Sequence, residues 1–269
     1  MEYETLLVEN LDGVAVITLN RPEKRNAMNP TLHREMADLL EALRNDNAVR
    51  VLVITGAGPA FCAGMDLKQF FVELSDDPAE YDRIFRLATE WRGRTLRYYP
   101  KPTIAMINGF CFGGAFSIVE GCDLAYAAEE ATFGLSEINF KHFPGGAVSK
   151  SLANLLRPRD ALYYAMTGKS FSGTTAVEIG LINEAWSGAE LRERTMEVAQ
   201  CLREKDPEAL RATKEGYRYS LEMTWEASIA FTHAKDVELK HLQNDGREGI
   251  GDFLDGRYRP GLETHPSRK

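Results

Sequence analysis

The length, composition and charge of the chain narrow the classes of protein to which it can belong. Its 269 residues, 44% of them apolar, are enough to bury a large core in one domain, or in one domain with an extension. The formal net charge of −8 is spread along the chain rather than held in a tail, which argues against a nucleic-acid-binding surface.

The sequence predicts a cytoplasmic protein with neither a membrane span nor a metal site. Residues 1–9 are acidic and lack the basic and apolar regions of a signal peptide, and no run approaches the roughly 18 apolar residues of a membrane span. The four cysteines, Cys62, Cys111, Cys122 and Cys201, have no C-x-x-C spacing, so we expect reduced thiols. None of the five histidines pairs with another at the spacing of metal ligands.

Strand-like and helical segments alternate over the first two-thirds of the chain. Strands are predicted from β-branched or continuous apolar runs, and helices from apolar residues at spacings of three and four. In chain order they are strand Val14–Leu19, helix Thr31–Arg44, strand Val51–Thr55, helix Ala79–Tyr98, strand Thr103–Ile107, helix Phe116–Gly121, strand Leu124–Ala128 and helices Asp160–Thr167, Thr175–Ile179 and Leu191–Lys205. From there to about Leu254 the pattern is helical, which predicts an α/β layer followed by a helical extension.

Two of the predicted strands end in glycine-rich turns, at residues 56–67 and 108–117. Glycine lets the backbone turn sharply, and a helix that begins just after Gly114 would leave its first N–H groups without an internal partner. Two such turns side by side could donate two hydrogen bonds to one oxygen, which is an oxyanion hole. Packing turns are the alternative interpretation. The spacing fits neither G-x-G-x-x-G nor a P-loop.

Two glutamates lie between apolar residues and are candidates for proton transfer. Glu137 follows Ser136 in a strand-like stretch, where burial would raise its pKa and suit it to proton transfer near neutral pH. A surface or ion-paired glutamate is the alternative. Glu120 lies three residues after Ser117, so it is either a second active-site carboxylate or half of a buried ion pair. A Ser-His-Asp triad stays open, although no G-x-S-x-G elbow is present.

Several segments, in order along nearly the whole chain, resemble the crotonase (enoyl-CoA hydratase/isomerase) superfamily. They are Asn20-Arg-Pro-Glu-Lys-Arg-Asn-Ala-Met28, Thr55-Gly with Cys62-Ala-Gly-Met-Asp-Leu67, Lys101-Pro-Thr-Ile-Ala-Met-Ile-Asn-Gly109, Gly113-Gly114, Cys122-Asp-Leu-Ala125 and Ala131-Thr-Phe-Gly134. Within the superfamily the chain looks most like the hydroxycinnamoyl-CoA (feruloyl-CoA) hydratase-lyases. That closer resemblance rests on Gly64-Met-Asp-Leu-Lys68, Phe110-Cys-Phe-Gly-Gly114, Phe133-Gly-Leu-Ser-Glu-Ile-Asn139 and Thr224-Trp-Glu226.

The resemblance implies the architecture, the substrate class and the assembly. Residues 1–195 would form a crotonase-like spiral of ββα repeats that holds the acyl-CoA site, and residues 196–269 a C-terminal helical trimerisation region. The chain would be a homo-oligomer, either a trimer or a dimer of trimers, acting on an acyl-CoA thioester. No cofactor is expected because coenzyme A is part of the substrate, and neither a nucleic acid nor a membrane is an expected partner.

The resemblance also implies roles for individual residues. The backbone N–H groups of Met65 and Gly114 would form the oxyanion hole, and Glu137 would be the acid–base group. Ordinary hydratases of the family have a first catalytic glutamate where this chain has Ser117, as the hydratase-lyases do. Coenzyme A would run along Lys24, Arg25 and Ala27 and contact the backbone near Ala63, Met65 and Leu67.

Two departures from the hydratase-lyases bear on the substrate. Those enzymes hold a 4-hydroxyl group with two tyrosines, and the matching positions here are Phe70, which cannot hydrogen-bond, and His233, which can do so only with altered geometry. Glu120 stands where an apolar residue is expected and could replace the missing first glutamate. We expect hydration of an aromatic or bulky enoyl-CoA in an apolar pocket lined by Phe70, Phe71 and Phe231, with retro-aldol cleavage as a second step. Simple hydration, isomerisation, hydrolysis and a non-catalytic acyl-CoA-binding scaffold are the alternatives.

Overall fold

The computed structural model describes residues 3–243, 251, 254 and 255, and it divides the chain into two units, Met1–Gln200 and Cys201–Lys269. The assignment of the acyl-CoA site to residues 1–195 and of trimerisation to residues 196–269 stays a prediction. No helix in the described ranges is long and apolar enough to cross a membrane. Three of the four free cysteines are buried and Cys201 is partly buried. The cytoplasmic location stays a prediction.

Strands and helices alternate in the first unit, and the second unit is helical where it is described. The strands are β1 (Leu6–Leu11), β2 (Val14–Leu19), β3 (Val51–Gly56), β4 (Ala60–Cys62), β5 (Thr103–Ile107), β6 (Phe110–Phe112), β7 (Leu124–Ala128), β8 (Thr132–Gly134), β9 (Phe171–Ser172) and β10 (Glu184–Trp186). The helices are α1 (Pro30–Asn45), α2 (Pro78–Glu90), α3 (Phe116–Gly121), α4 (Ala147–Leu155), α5 (Pro158–Thr167), α6 (Gly173–Glu178), α7 (Gly188–Arg203), α8 (Pro207–Ser220) and α9 (Trp225–Leu242).

The strands form two sheets, and the chain passes from one to the other within each repeat. The larger sheet has the order β1-β2-β3-β5-β7-β10 and the smaller sheet β4-β6-β8-β9. The outer pairs β1–β2 and β8–β9 are antiparallel, and the other neighbours are parallel. Strands β3, β5 and β7 of the larger sheet are each followed by a strand of the smaller sheet and then by helical chain. The predicted α/β spiral of ββα repeats is confirmed.

The predicted core positions of α1 and β3 are buried. All residues of β3 are buried, as expected for a strand that is covered on both faces. The side chain of Asn29 begins α1 by accepting a hydrogen bond from Leu32 N at 2.9 Å, and such a cap is typically worth about 1 kcal/mol. The apolar stripe of α1 predicted from the sequence is buried, and its members are Leu32, Met36, Leu39, Leu40 and Leu43.

Some elements differ from their predictions. The helix predicted for Ala79–Tyr98 is shorter, because α2 ends at Glu90 and a turn of π-helix, Trp91–Thr95, follows it. Strands β4, β6 and β8 lie in stretches that lacked a strand prediction, since three residues are too few to show a period. Glu137, predicted to be strand-like, begins the 3-10 turn Glu137–Phe140 instead.

The second unit contains α8 and α9, which are joined by ion pairs. Arg211 Nη2 lies 3.2 Å from Glu238 Oε1, and Lys235 Nζ lies 2.5 Å from Glu215 Oε2. The helical prediction for this part of the chain is confirmed for 207–220 and 225–242. Its continuation toward Leu254 falls on residues 244–250, 252 and 253, which lie outside the described residues.

Candidate active site

Strands β4 and β6 lie side by side, so the turns that follow them also lie close together. Gly64 follows β4 with a φ of +90°, and Gly113 follows β6 with a φ of +51°, in the left-handed region that favours glycine. A Cβ on Gly64 would lie 3.2 Å from Gly114 N, and a Cβ on Gly114 would lie 3.3 Å from Met65 Cγ. The structure therefore brings the two predicted oxyanion-hole residues, Met65 and Gly114, next to each other.

The segment that contains Met65 is held in place without use of the Met65 N–H group. Met28 and Met65 form an isolated parallel bridge. Its hydrogen bonds run from Met28 N to Gly64 O at 2.7 Å and from Asp66 N to Met28 O at 2.9 Å. The bridge thus fixes the backbone on both sides of Met65 and leaves the Met65 N–H group outside the pairing.

Glu137 reaches the same turns from the third ββα repeat. A Cβ on Gly113 would lie 2.9 Å from Glu137 Oε1. The other oxygen, Oε2, is buried and accepts no hydrogen bond, and no cation in the described chain pairs with this carboxylate. Burial raises the pKa of Glu137 above the ordinary value of a glutamate, as the sequence predicted. The alternative of a surface or ion-paired glutamate is not what the structure shows.

Ser117 is buried and hydrogen-bonded to the turn that carries Gly114. Its Oγ donates to Gly114 O at 2.7 Å and accepts from Arg92 Nη1 at 3.0 Å. The same Arg92 nitrogen donates to Gly114 O at 3.0 Å. The Ser117 proton is therefore directed at a backbone carbonyl, where it fixes the turn. A direct catalytic role for Ser117 stays a prediction.

The expectation that Glu120 is a second acid–base group at the substrate is wrong. Glu120 is 5% exposed, and its Oε1 accepts hydrogen bonds from the Arg97 guanidinium and, at 3.0 Å, from Asn154 Nδ2. Arg97 is buried as well, so the two charges form a buried ion pair. A buried carboxylate is costly unless it is paired, and the pairing satisfies Glu120 within the fold. Ser117, by contrast, bonds to Arg92 and Gly114.

The predicted coenzyme A segment lies against the turn that carries Met65. Ala63 N donates to Arg25 O at 2.9 Å, and the guanidinium of Arg21 donates to Ala27 O. Lys24 and Arg25 are exposed, so their charges are accessible to a polyanion. The structure thus brings Lys24, Arg25, Ala27 and Ala63 together beside one half of the predicted oxyanion hole.

Phe70 is buried in an apolar cluster that extends to Met65. The cluster also includes Ile84, and Tyr81 packs against it with its ring centroid 5.6 Å from that of Phe70. Leu67, which was predicted to contact coenzyme A, begins the π-helical turn Leu67–Val72 that contains Phe70, and it is exposed. Because the cluster around Phe70 packs against Met65, it is the candidate site for the acyl group.

The remaining residues predicted for the acyl group are spread over both units. Phe71 is exposed, and its ring centroid lies 5.1 Å from that of Phe70. His233 lies on α9 in the second unit and is exposed, whereas Phe231 on the same helix is partly buried and packs edge-on against Tyr219. Their roles in substrate binding stay predictions.

Arg92 was not among the residues predicted from the sequence. The signal was present, because Ile84, Ala88 and position 92 recur every four residues along one face of the predicted helix. A charged residue at an apolar position of such a stripe is a candidate for a special role, since arginine is rarely fully buried without a partner.

Comparisons with known proteins agree with this arrangement. The family model described as enoyl-CoA hydratase/isomerase matches residues 9–260. The chain is 50% identical over 267 residues to a hydroxycinnamoyl-CoA hydratase-lyase of Pseudomonas fluorescens, covering 98% of this chain and 97% of the relative. It is 34% identical to a mevalonyl-coenzyme A hydratase of Aspergillus fumigatus, with 92% of each chain covered. The crystal structure of an enoyl-CoA hydratase from Mycobacterium smegmatis superposes with a TM-score of 0.87 at 26% identity, covering 94% of this chain and 96% of that one.

With a matching family model over most of its length and the spiral fold of its relatives, the chain belongs to the enoyl-CoA hydratase/isomerase family of the crotonase superfamily, and it is a lyase of the enoyl-CoA hydratase type that acts on an acyl-CoA thioester.

Proposed function

We propose that the protein hydrates an aromatic or bulky enoyl-CoA and then cleaves the 3-hydroxyacyl-CoA product to an aldehyde and acetyl-CoA. The observation that carries the proposal is the partly buried carboxylate of Glu137 beside the Gly113–Gly114 turn, whose Oε2 is buried and accepts no hydrogen bond. The similarity to a protein named hydroxycinnamoyl-CoA hydratase-lyase supports the cleavage step.

The thioester carbonyl would bind between the N–H groups of Met65 and Gly114. Negative charge grows on that oxygen as the enolate forms, so donors fixed in advance stabilise the transition state more than the ground state. One donor of this kind is typically worth about 2.7–4 kcal/mol. The Met28–Met65 bridge and the bonds that Ser117 and Arg92 make to Gly114 O supply the required rigidity.

In the hydration step, Glu137 takes a proton from water as the water oxygen adds to the β-carbon. The electron pair of the double bond moves through the α-carbon to the thioester oxygen and forms the enolate. Glu137 then returns a proton to the α-carbon. The raised pKa of the Glu137 carboxyl group lies closer to neutral pH than that of an ordinary glutamate, which favours its use as both base and acid in these transfers.

In the cleavage step, Glu137 removes the proton of the β-hydroxyl group. The β-carbon becomes the aldehyde carbon, the Cα–Cβ bond breaks, and its electron pair forms the enolate of acetyl-CoA. Protonation at the α-carbon completes the product. Both steps pass through an enolate in the same hole, so the proposal includes no cofactor or metal beyond the coenzyme A of the substrate.

Phe70 and Phe71 support an apolar acyl pocket with a weak preference for a free 4-hydroxyl group. A site built to hydrogen-bond a hydroxyl group rejects analogues that lack it by up to about 10⁴–10⁵-fold, whereas apolar pockets discriminate by roughly 10–200-fold per methylene. The test compares kcat/KM for coumaroyl-CoA and cinnamoyl-CoA in the wild type and in His233→Phe. A strong preference for the phenol that survives in His233→Phe would show that another residue binds the hydroxyl group.

Product analysis separates the proposal from its alternatives. Incubation with hydroxycinnamoyl-CoA should yield the aromatic aldehyde and acetyl-CoA in equal amounts. Accumulation of the 3-hydroxyacyl-CoA alone would reduce the function to simple hydration. If none of a panel of enoyl-CoA thioesters loses its conjugated absorbance, the proposal fails.

We also propose that the protein assembles as a trimer or a dimer of trimers. The second unit exposes apolar side chains on and before α9, and Trp225 is 78% exposed. Leu221 and Ile229 are exposed as well. Sedimentation at micromolar concentration should give a trimer or a multiple of one, and a monomer would contradict the proposal.

A further inference from the structure

Arg92 is a buried cation without a counter-ion in the described part of the chain. Its side chain is on the π-helical turn after α2, and the residue is 7% exposed. Nε donates to Ala88 O at 2.9 Å, while Nη1 donates to Gly114 O and Ser117 Oγ, both at 3.0 Å. These acceptors are all neutral. Arg97, a buried arginine five residues further on, shows the usual solution, because it pairs with Glu120.

The titratable groups around Arg92 do not supply the missing negative charge. Cys62 is buried, and burial raises the pKa of its thiol to about 12, so the thiol is neutral near pH 7. Burial, followed by the charge of Arg92, lowers the pKa of His33 well below its usual value, so the imidazole is neutral too. Burial lowers the pKa of Arg92 itself to about 10, which still leaves it protonated at neutral pH.

The guanidinium lies directly beside one of the two predicted oxyanion donors. A Cβ on Gly114 would be 3.0 Å from Arg92 Nη1. An unpaired buried charge is unfavourable, and folded proteins retain such features chiefly where function requires them. The missing partner is a negative charge, and in an enolate-forming reaction that charge appears on the oxygen held by Gly114 N and Met65 N.

We infer that Arg92 is a positioning residue that fixes the Gly114 turn and places a permanent positive charge behind the oxyanion hole, where it stabilises the enolate. The inference rests on the proposed function only in requiring an acyl-CoA reaction that passes through an enolate. The effect is preorganised, because the charge is fixed by three hydrogen bonds before substrate binds. It acts through Gly114 and the local field rather than by contact with the substrate.

The test measures the ionisation of a bound probe rather than turnover. The probe is a CoA thioether with a nitroethyl group, which loses a proton from carbon to give a nitronate with its charge on oxygen. Its absorbance is followed against pH with saturating wild type, Arg92→Lys, Arg92→Gln and Arg94→Met. Lysine keeps the charge, glutamine keeps a donor without the charge, and Arg94 is an exposed arginine of the same turn that serves as a matched control.

We expect Arg92→Gln to raise the pKa of the bound probe by about one to two units, equivalent to roughly a 10–100-fold loss of nitronate stabilisation. Arg92→Lys should raise it by less than half as much, and Arg94→Met should not change it. Affinity for a saturated acyl-CoA should stay within about twofold in all variants that retain the wild-type circular dichroism, because its thioester group is uncharged and does not need the cation.

Two results would overturn the inference. Equal shifts in Arg92→Lys and Arg92→Gln would show a purely structural role, and unchanged probe pKa values in both would show no role for the charge. The outcome is separate from that of the proposed function. If the acyl specificity is wrong, the wild type fails to turn over hydroxycinnamoyl-CoA while the Arg92-dependent probe shift remains. If only the inference is wrong, turnover occurs and the probe shift is independent of Arg92.

Discussion

Replacing Glu137 with glutamine removes the proposed base and preserves its shape. Acid–base groups typically contribute about 10²–10⁴-fold to the rate. We expect a loss in kcat near the upper end of this range, about 10⁴-fold, because neither of the two nearest candidates in the described part of the chain can take over. The Ser117 hydroxyl group is bonded to Gly114 O, and Glu120 is paired with Arg97. We therefore expect Glu137→Gln to lose almost all turnover while it still binds a saturated acyl-CoA.

The same variant should be at least as stable as the wild type at neutral pH. The pKa of Glu137 is raised in the folded protein, so its contribution to stability is present below the unfolded-state pKa and is lost as pH rises through the folded-state value. The ionised form of this carboxylate therefore opposes folding, and glutamine removes that cost. Loss of stability in Glu137→Gln would contradict the description of its environment.

The assay follows the loss of conjugated enoyl-CoA absorbance, together with calorimetric binding of a saturated acyl-CoA and thermal melts. Glu129→Gln, a change of the same type at an exposed position, is the matched control and should behave as the wild type. A kcat for Glu137→Gln within about tenfold of the wild type would refute the mechanism, since that is less than any acid–base role normally supplies.

Three further predictions test the neighbouring features. Gly113→Ala should lower kcat by about 10²-fold or more, because the new Cβ would lie 2.9 Å from Glu137 Oε1. Because the φ of Gly113 is +51°, thermal melts of the variant should also show a free energy of unfolding that is lower by about 1–2 kcal/mol. Glu120→Gln should reduce the free energy of unfolding in denaturant by about 3–5 kcal/mol by leaving Arg97 unpaired, with kcat of the folded enzyme unchanged. In the wild type, kcat/KM should fall on the acid side around a pKa above that of an ordinary glutamate, and the residual activity of Glu137→Gln should lack that limb.

The parts of the fold that could be predicted are those in which a repeating pattern spans enough residues. The stripe of α1 and the continuous apolar run of β3 each extend over a full element, so burial could be inferred from period alone. Strands β4, β6 and β8 are three residues long and lie among glycines, and their pairing depends on distant partners. No local pattern specifies such a pairing.

The residues of the candidate site could be predicted only where the local sequence is unusual. Glu137 was found because a carboxylate among apolar residues is unusual, and its burial bears that out. Glu120 met the same criterion, and the sequence left a second acid–base group and a buried ion pair both open, because its partner Arg97 lies 23 positions away and only the packed structure shows the pair. Arg92 was missed for the converse reason, since an arginine in a helix is ordinary until its lack of a counter-ion is seen.

The passage of the chain between two sheets has a consequence for how the active site forms during folding. Met65, Gly114 and Glu137 follow β4, β6 and β8, so each successive repeat contributes one member of the site. The three strands are in register only through short pairings such as Cys111 with Phe133. A slip of one residue in the pairing of β4 with β6, or of β6 with β8, would turn the side chains of the slipped strand to the opposite face. Met65, Gly114 and Glu137 would then be separated, while the larger sheet stayed intact. Recovery of activity on refolding therefore reports the alignment of the small sheet and should lag behind the recovery of bulk secondary structure.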